Sequence, residues 1–158
     1  MAAGAPWWLL ALSVVVVDQA LKLTVQASLP YRAIIPVTSF FSLTHVGNTG
    51  AAFSFLADAS GWQRYFFTVV GIAVALWLAS VLRRPLRRVE AFGYSFILGG
   101  ALGNVVDRVV RGHVVDYLDF YWRDWHWPAF NAADVSITMG AALLITSALN
   151  AHKPAPAS

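Results

Sequence analysis

Two aspartates in the second half of the chain, Asp116 and Asp134, are the residues most able to do chemistry. Asp116 closes the run Gly112-His113-Val114-Val115-Asp116, just outside the third long apolar stretch. Asp134 falls in the first turn expected for a fourth apolar helix, where the positive end of the helix dipole favours a carboxylate. Asn131 can cap that helix, and capping explains Asp134 less well because Asn131 already supplies the cap. The loop between the two aspartates is long enough to return, so they can meet at one membrane face. Two carboxylates in contact do not both ionise easily and share a proton. One then acts as base on a water, the other as acid on the carbonyl or leaving amine, as in aspartic proteases. Structural ion pairs also perturb carboxylates, so spacing alone leaves a structural role open.

Other polar residues stand where lipid is expected, and ionisable residues inside a span are functional candidates by default. Asp18 and Lys22 are at i and i+4 on one face of the first apolar stretch, which reads either as a mutually neutralising pair or as part of a site. Asp107 and Arg111 share the same spacing near the end of the third stretch, whereas Arg108 points elsewhere and can reach a substrate carbonyl or a headgroup. Asn104 needs a partner, because an amide in lipid must be satisfied. Gly99 and Gly103 form a GxxxG spacing that lets another helix approach closely. The sequence has no cysteine, no His-Glu-x-x-His and no Gly-x-Ser-x-Gly. His45, His113 and His126 fall at the outer face and could bind metal, but their spacing matches no common site, so interfacial hydrogen bonding is the expected role.

The elements that must position these residues follow from composition. The chain is 58% hydrophobic and 12% charged, against about 25% charged in soluble domains. Four stretches approach the ~20 apolar residues a spanning helix needs, at about 7–27, 63–82, 91–111 and 132–150. Residues 1–158 therefore read as a single integral membrane domain, mainly α. The loop 83–90 carries Arg83, Arg84, Arg87 and Arg88, which places it and both termini on the cytoplasmic side and argues against a nucleic-acid surface. Segments 28–62 and 112–131 are then on the outer side. Trp7, Trp8, Trp62, Trp122, Trp125 and Trp127 fall where apolar runs begin or end, as interfacial anchors do. The β-branched and aromatic segment 33–57, with its Gly47-Asn48-Thr49-Gly50 turn, predicts short strands and a hairpin on the outer membrane surface. Val25-Gln26-Ala27 resembles a signal-peptide cleavage site, but no basic residue precedes the apolar run and Asp18 and Lys22 interrupt it, so a retained helix is expected.

Five blocks together resemble one family, lipoprotein signal peptidase, also called signal peptidase II, of the bacterial inner membrane. They are Val17-Asp18-Gln19-Ala20-Leu21-Lys22, Asn48-Thr49-Gly50-Ala51-Ala52-Phe53-Ser54, the run from Gly99 to Arg108, Val114-Val115-Asp116-Tyr117-Leu118-Asp119-Phe120, and Phe130-Asn131-Ala132-Ala133-Asp134. They stand in the family's order and cover nearly the whole chain. Gly47 is a departure, since similar proteins often carry a basic residue there. The resemblance implies an intramembrane aspartic endopeptidase that removes the signal peptide of a prolipoprotein before its diacylglyceryl-modified cysteine. It implies Asp116 and Asp134 as the catalytic pair. Asn48, Asn104, Asp107, Arg108 and Asn131 are implied as lining or supporting residues, with Asp18 and Lys22 in support. It further implies globomycin-type inhibitors and no metal; a monomer is expected.

Two readings compete. A small proton or ion translocator also needs intramembrane carboxylates and an arginine, but nearer mid-membrane or on both sides. A non-catalytic subunit, held by the small-residue face of the third stretch, leaves Asp116 and Asp134 unexplained.

Overall fold

A computed structural model describes residues 5–50 and 61–151. Among these, four helices are long and apolar enough to cross a membrane: α1 (Ala5–Ser28), α2 (Trp62–Val81), α3 (Arg88–Val110) and α4 (Ala132–Ala151). Their outward faces remain apolar, as Leu9, Val16, Val69, Leu76, Ile145 and Leu149 illustrate. Such a surface is unfavourable in water and matched by lipid. Helix α3 is the centre of the bundle and packs on each of the other three.

Small residues make that packing possible. A Cβ on Gly99 would lie 2.7 Å from the Ala11 carbonyl oxygen of α1, and one on Gly93 would lie 2.9 Å from the Gly140 carbonyl oxygen of α4. Gly99 thus serves α1 and its neighbour Gly100 serves α4, where a Cβ would meet Ile137 at 2.8 Å. Gly99→Val is expected to destabilise the protein by about 1–3 kcal/mol through overpacking. Val110→Ala, at a position 73% exposed, should change stability by less than about 0.5 kcal/mol. Thermal unfolding in one detergent compares the two.

A four-stranded antiparallel sheet, in the order β1-β2-β3-β4, sits at the end of the bundle opposite the arginine loop. It comprises β1 (Ile34–Pro36), β2 (Phe41–Asn48), β3 (Val114–Trp122) and β4 (Trp125–His126). The hairpin expected in 33–57 is present, but its turn lies between Pro36 and Phe41 rather than at Gly47-Asn48. Gly47 and Asn48 continue β2 because they pair with Val115 and Val114 of β3. The segment after α3, whose residue types suggest an aromatic, polar loop, instead supplies β3 and β4. These are joined by a two-residue turn in which Arg123 has φ 55. The register of β2 on β3 shifts between Leu43 and Val46, which places a bulge beside Asp116. Residues 51–54 of the second resembling block lie outside the described residues.

At the opposite end, Glu90 accepts from the Arg87 backbone N–H at 3.2 Å and from its guanidinium at 2.7 Å. Arg87 also donates to the Ser147 hydroxyl at 2.6 Å, tying the start of α3 to the end of α4. This carboxylate explains why α3 begins at Arg88, before the expected Ala91.

Candidate active site

Asp116 stands on β3, next to the bulge, and is 2% exposed. Its two oxygens accept from different asparagines. The Asn48 amide at the end of β2 donates at 3.0 Å, and the Asn131 amide before α4 donates at 2.6 Å. Asn131 also joins Asp116 to Asp134. Its side-chain oxygen accepts from the Asp134 backbone N–H at 3.1 Å, while its own backbone N–H donates to Asp134 Oδ2 at 3.2 Å. This is a reciprocal capping box. One Asp134 oxygen therefore does take part in capping, the explanation that residue types alone make the weaker. The other, Oδ1, accepts from the Asn104 amide of α3 at 2.8 Å.

A buried ionic network supports Asn104 from behind. Lys22, 0% exposed, donates to Asn104 Oδ1 at 3.0 Å, and lies 2.9 Å from both Asp18 and Asp107. Asp107 pairs with Arg111 at 2.5 Å, as their spacing predicts. It also accepts from the Gln19 amide at 2.9 Å and the Val115 backbone N–H at 3.0 Å, fixing the start of β3. Asp18 accepts from the Ala133 backbone N–H at 3.0 Å, fixing the start of α4. The two aspartates and two cations balance, which a buried cluster requires. Asp18 and Lys22 thus form a neutralising pair that also reaches toward Asp134 through Asn104.

Arg108 borders the same asparagine. Its Nη1 donates to the Asn104 carbonyl at 3.4 Å, and its guanidinium stands 5.5 Å from the Phe67 ring centre. Its buried Nε has no hydrogen-bond partner among the described residues. A buried donor without a partner costs stability unless something else accepts from it.

Burial pushes the Asp116 carboxyl up to about 7, with the charge of Asp134 acting in the same direction. The asparagine hydrogen bonds and Lys22 oppose this less strongly. An acid held near neutrality, beside a second carboxylate, has the properties of a general acid–base pair.

Residues 10–150 match the family model described as signal peptidase (SPase) II. The chain belongs to the signal peptidase II family. A lipoprotein signal peptidase of Serratia marcescens is 52% identical to it, over 86% of this chain and 80% of that protein. One of Cupriavidus necator is 56% identical, over 90% and 82%. A solved bacterial membrane enzyme superposes with a TM-score of 0.81 at 29% identity, covering 97% of this chain and 94% of the other.

In this member of the signal peptidase II family, all the residues singled out for a site fall in one continuous network or against it. Sequence reasoning misses Gln19, Gln26, Tyr117 and Arg64. Gln19 bridges Asp107 and Arg111, and Gln26 accepts from Arg111 at 2.9 Å. Tyr117 accepts from the Ala132 N–H at 3.1 Å, and burial raises its hydroxyl to about 12. Arg64 donates to the Arg108 carbonyl at 2.8 Å, closing the end of α3. Gln19 and Gln26 carry a usable signal, as amides within an apolar span. Tyr117 and Arg64 have no local signal. The histidines go to separate partners: His45 to the Leu29 carbonyl at 2.9 Å, His126 to Asp119 at 2.9 Å, and His113 against Gly47. A Cβ at Gly47 would lie 2.7 Å from the His113 ring.

Proposed function

We propose that this multi-pass membrane protease removes signal peptides from prolipoproteins with Asp116 and Asp134 as its catalytic pair. The cut falls before a diacylglyceryl-modified cysteine. The observation that carries the pair is the Asp116–Asn131–Asp134 linkage, buried at Asp116 and Asn131, with the Asp116 carboxyl held near neutrality. Asp18, Asp107, Lys22 and Arg111 neutralise one another. The arginine left over, Arg108, balances a single charge, so the pair is best accommodated holding one proton.

In that state the ionised carboxylate takes a proton from water. The hydroxide adds to the scissile carbonyl carbon while the protonated partner gives its proton to the carbonyl oxygen. Collapse of the tetrahedral centre breaks the C–N bond: the carboxylate that has just become ionised takes a hydroxyl proton from that centre while its protonated partner gives one to the leaving nitrogen, so the pair again holds one proton. Arg108, with its unpartnered Nε, and Asn48 are suited to stabilise the developing oxyanion. Asn131 and Asn104 hold the two carboxylates in register.

The orientation we assign is the arginine loop and both termini in the cytoplasm, with the sheet and the aspartates at the periplasmic face of the bacterial inner membrane. An enzyme placed there acts on a lipidated substrate without extracting it, which would cost about 0.8 kcal/mol per buried CH₂. The enzyme acts as a monomer, and globomycin-type cyclic peptides are its expected inhibitors. The test is cleavage of a synthetic prolipoprotein by purified protein in detergent, with and without the diacylglyceryl group. Cleavage before the modified cysteine alone is expected, and failure to cleave either substrate overturns the reading.

The pair also sets a pH dependence. Deprotonation of an acid at about 7 removes the shared proton as pH rises, so kcat should fall on the alkaline side. Asn48 donates to the ionised form and thereby holds the carboxyl down. Asn48→Ala should therefore move the alkaline limb to higher pH while lowering kcat. A limb that stays put or moves down would separate Asn48 from the titrating group.

A further inference from the structure

A cavity of about 770 Å³ opens on the sheet and has Asp116 and Asn48 in its wall. Residues of all four strands line it, including Asp119 on β3 and His126 on β4, with Arg32 and Trp127. Its volume lies in the range of ligand-binding clefts. The hydrolytic step uses Asp116 and Asn48 and leaves the rest of the cavity without a role.

Three features show a built surface there. His126 is held by both oxygens of the Asp119 carboxylate, at 2.9 and 3.0 Å from Nδ1, and its ring stacks on Tyr121 at 5.1 Å. Asp119 itself is 6% exposed, so a buried carboxylate fixes the orientation of a half-exposed imidazole. Nδ1 then donates to the Asp119 carboxylate, and Nε2 is left for a second partner. Arg32 supplies donors and sits at φ 64, a backbone region that disfavours side chains, held by its N–H to the His45 carbonyl at 2.7 Å. Strain of that kind persists only where surrounding structure imposes it.

A second cavity, of about 380 Å³, shares Trp127 with the first and is lined by Asp134, Phe130, Val135 and Met139. Its walls are mostly apolar and run along α4, whereas Arg32, Asp119 and His126 bring polar side chains to the wall of the first. Trp127 is common to the two linings, and each cavity has one aspartate of the pair in its wall. A substrate cut at this point is apolar on its membrane side and turns into polar chain after the modified cysteine.

We infer that the Asp119–His126 couple and Arg32 form a subsite for the extended polar peptide that follows the modified cysteine. This rests on the peptidase reading above. Nε2 of His126 and the guanidinium donors of Arg32, both in the wall of the cavity, suit the polar backbone groups of an extended chain. The couple is thus a specificity-determining element for the residues just beyond the cut.

The test uses two synthetic diacylglyceryl prolipoprotein peptides, one ending in an amide directly after the modified cysteine and one carrying four further polar residues. Wild type should cleave the longer peptide with the higher kcat/KM. His126→Gln should reduce the ratio of the two kcat/KM values by about 3- to 10-fold, the range for one lost hydrogen bond, mainly through KM of the longer peptide. Arg32→Gln should act in the same direction. Because the ratio is taken within one preparation, partial misfolding cancels. Equal cleavage of the two peptides by wild type overturns the proposal without any variant, as does a His126→Gln effect of the same proportion on both. Cleavage of neither peptide by wild type instead sinks the peptidase reading itself.

Discussion

Asp116→Asn and Asp134→Asn are each expected to lower kcat by about 10³- to 10⁴-fold, in the upper range for loss of a positioned acid or base, while substrate binding persists. Asparagine keeps the size and one acceptor of each carboxylate, so Asn131 can still link β3 to the turn into α4. The pair acts as one unit, so the double variant should be little slower than either single one. Additive losses would mean that the two carboxylates work independently. Binding is read by retention of a diacylglyceryl peptide on the inactive variants, and folding by thermal unfolding in the same detergent. If one variant keeps near-normal turnover, that aspartate is structural. Asp119, which lines the cavity holding Asp116, then becomes the next candidate. Asp107 is a poorer one, because Lys22, Arg111, Gln19 and the Val115 N–H already occupy its oxygens.

What can be seen in the sequence differs by the range of the interaction. The four spans are legible because each is an apolar run of helical length, and their limits shift by only a few residues where caps such as Glu90 act. The pair Asp107–Arg111 is legible because its spacing on one helix is fixed. The link from Lys22 to Asp107 and Asn104 crosses from α1 to α3, and no local spacing encodes it. Strand β3 is hidden for a different reason. Asp116 and Asp119 interrupt its apolar residues, and the strand forms through pairing with β2 while Asn48, Asn131 and His126 satisfy the two carboxylates. The same pairing draws Gly47 and Asn48 out of the turn their residue types predict. The places where local preference fails are thus the places where β2, β3 and α4 converge on Asp116. That is expected of a functional site, where local consistency is given up for geometry.

Lys22→Met should be the most destabilising single change in the helical bundle. It leaves Asp18 and Asp107, both 0% exposed, with only Arg111 to offset them. Removing one partner from a buried ionic cluster costs about 3–5 kcal/mol, because the remaining charge is left uncompensated. The double variant Lys22→Met/Asp18→Asn restores the balance. The amide that replaces the Asp18 carboxylate can still accept from the Ala133 N–H, and Asp107 keeps Arg111, so much of the lost stability should return in thermal unfolding. Activity should not return with it. Lys22 is a donor only, so it fixes the oxygen of Asn104 toward itself and the amide toward Asp134. Without Lys22 only the longer donation from Asn131, at 3.4 Å, holds that oxygen, so the amide turns more easily and the donor on the Asp134 oxygen that the capping box does not use is weakened. A stabilised but slow double variant, with kcat reduced more than KM is raised, would assign Lys22 a positioning role acting through Asn104. Recovery of stability and turnover together would reduce Lys22 to charge balance alone.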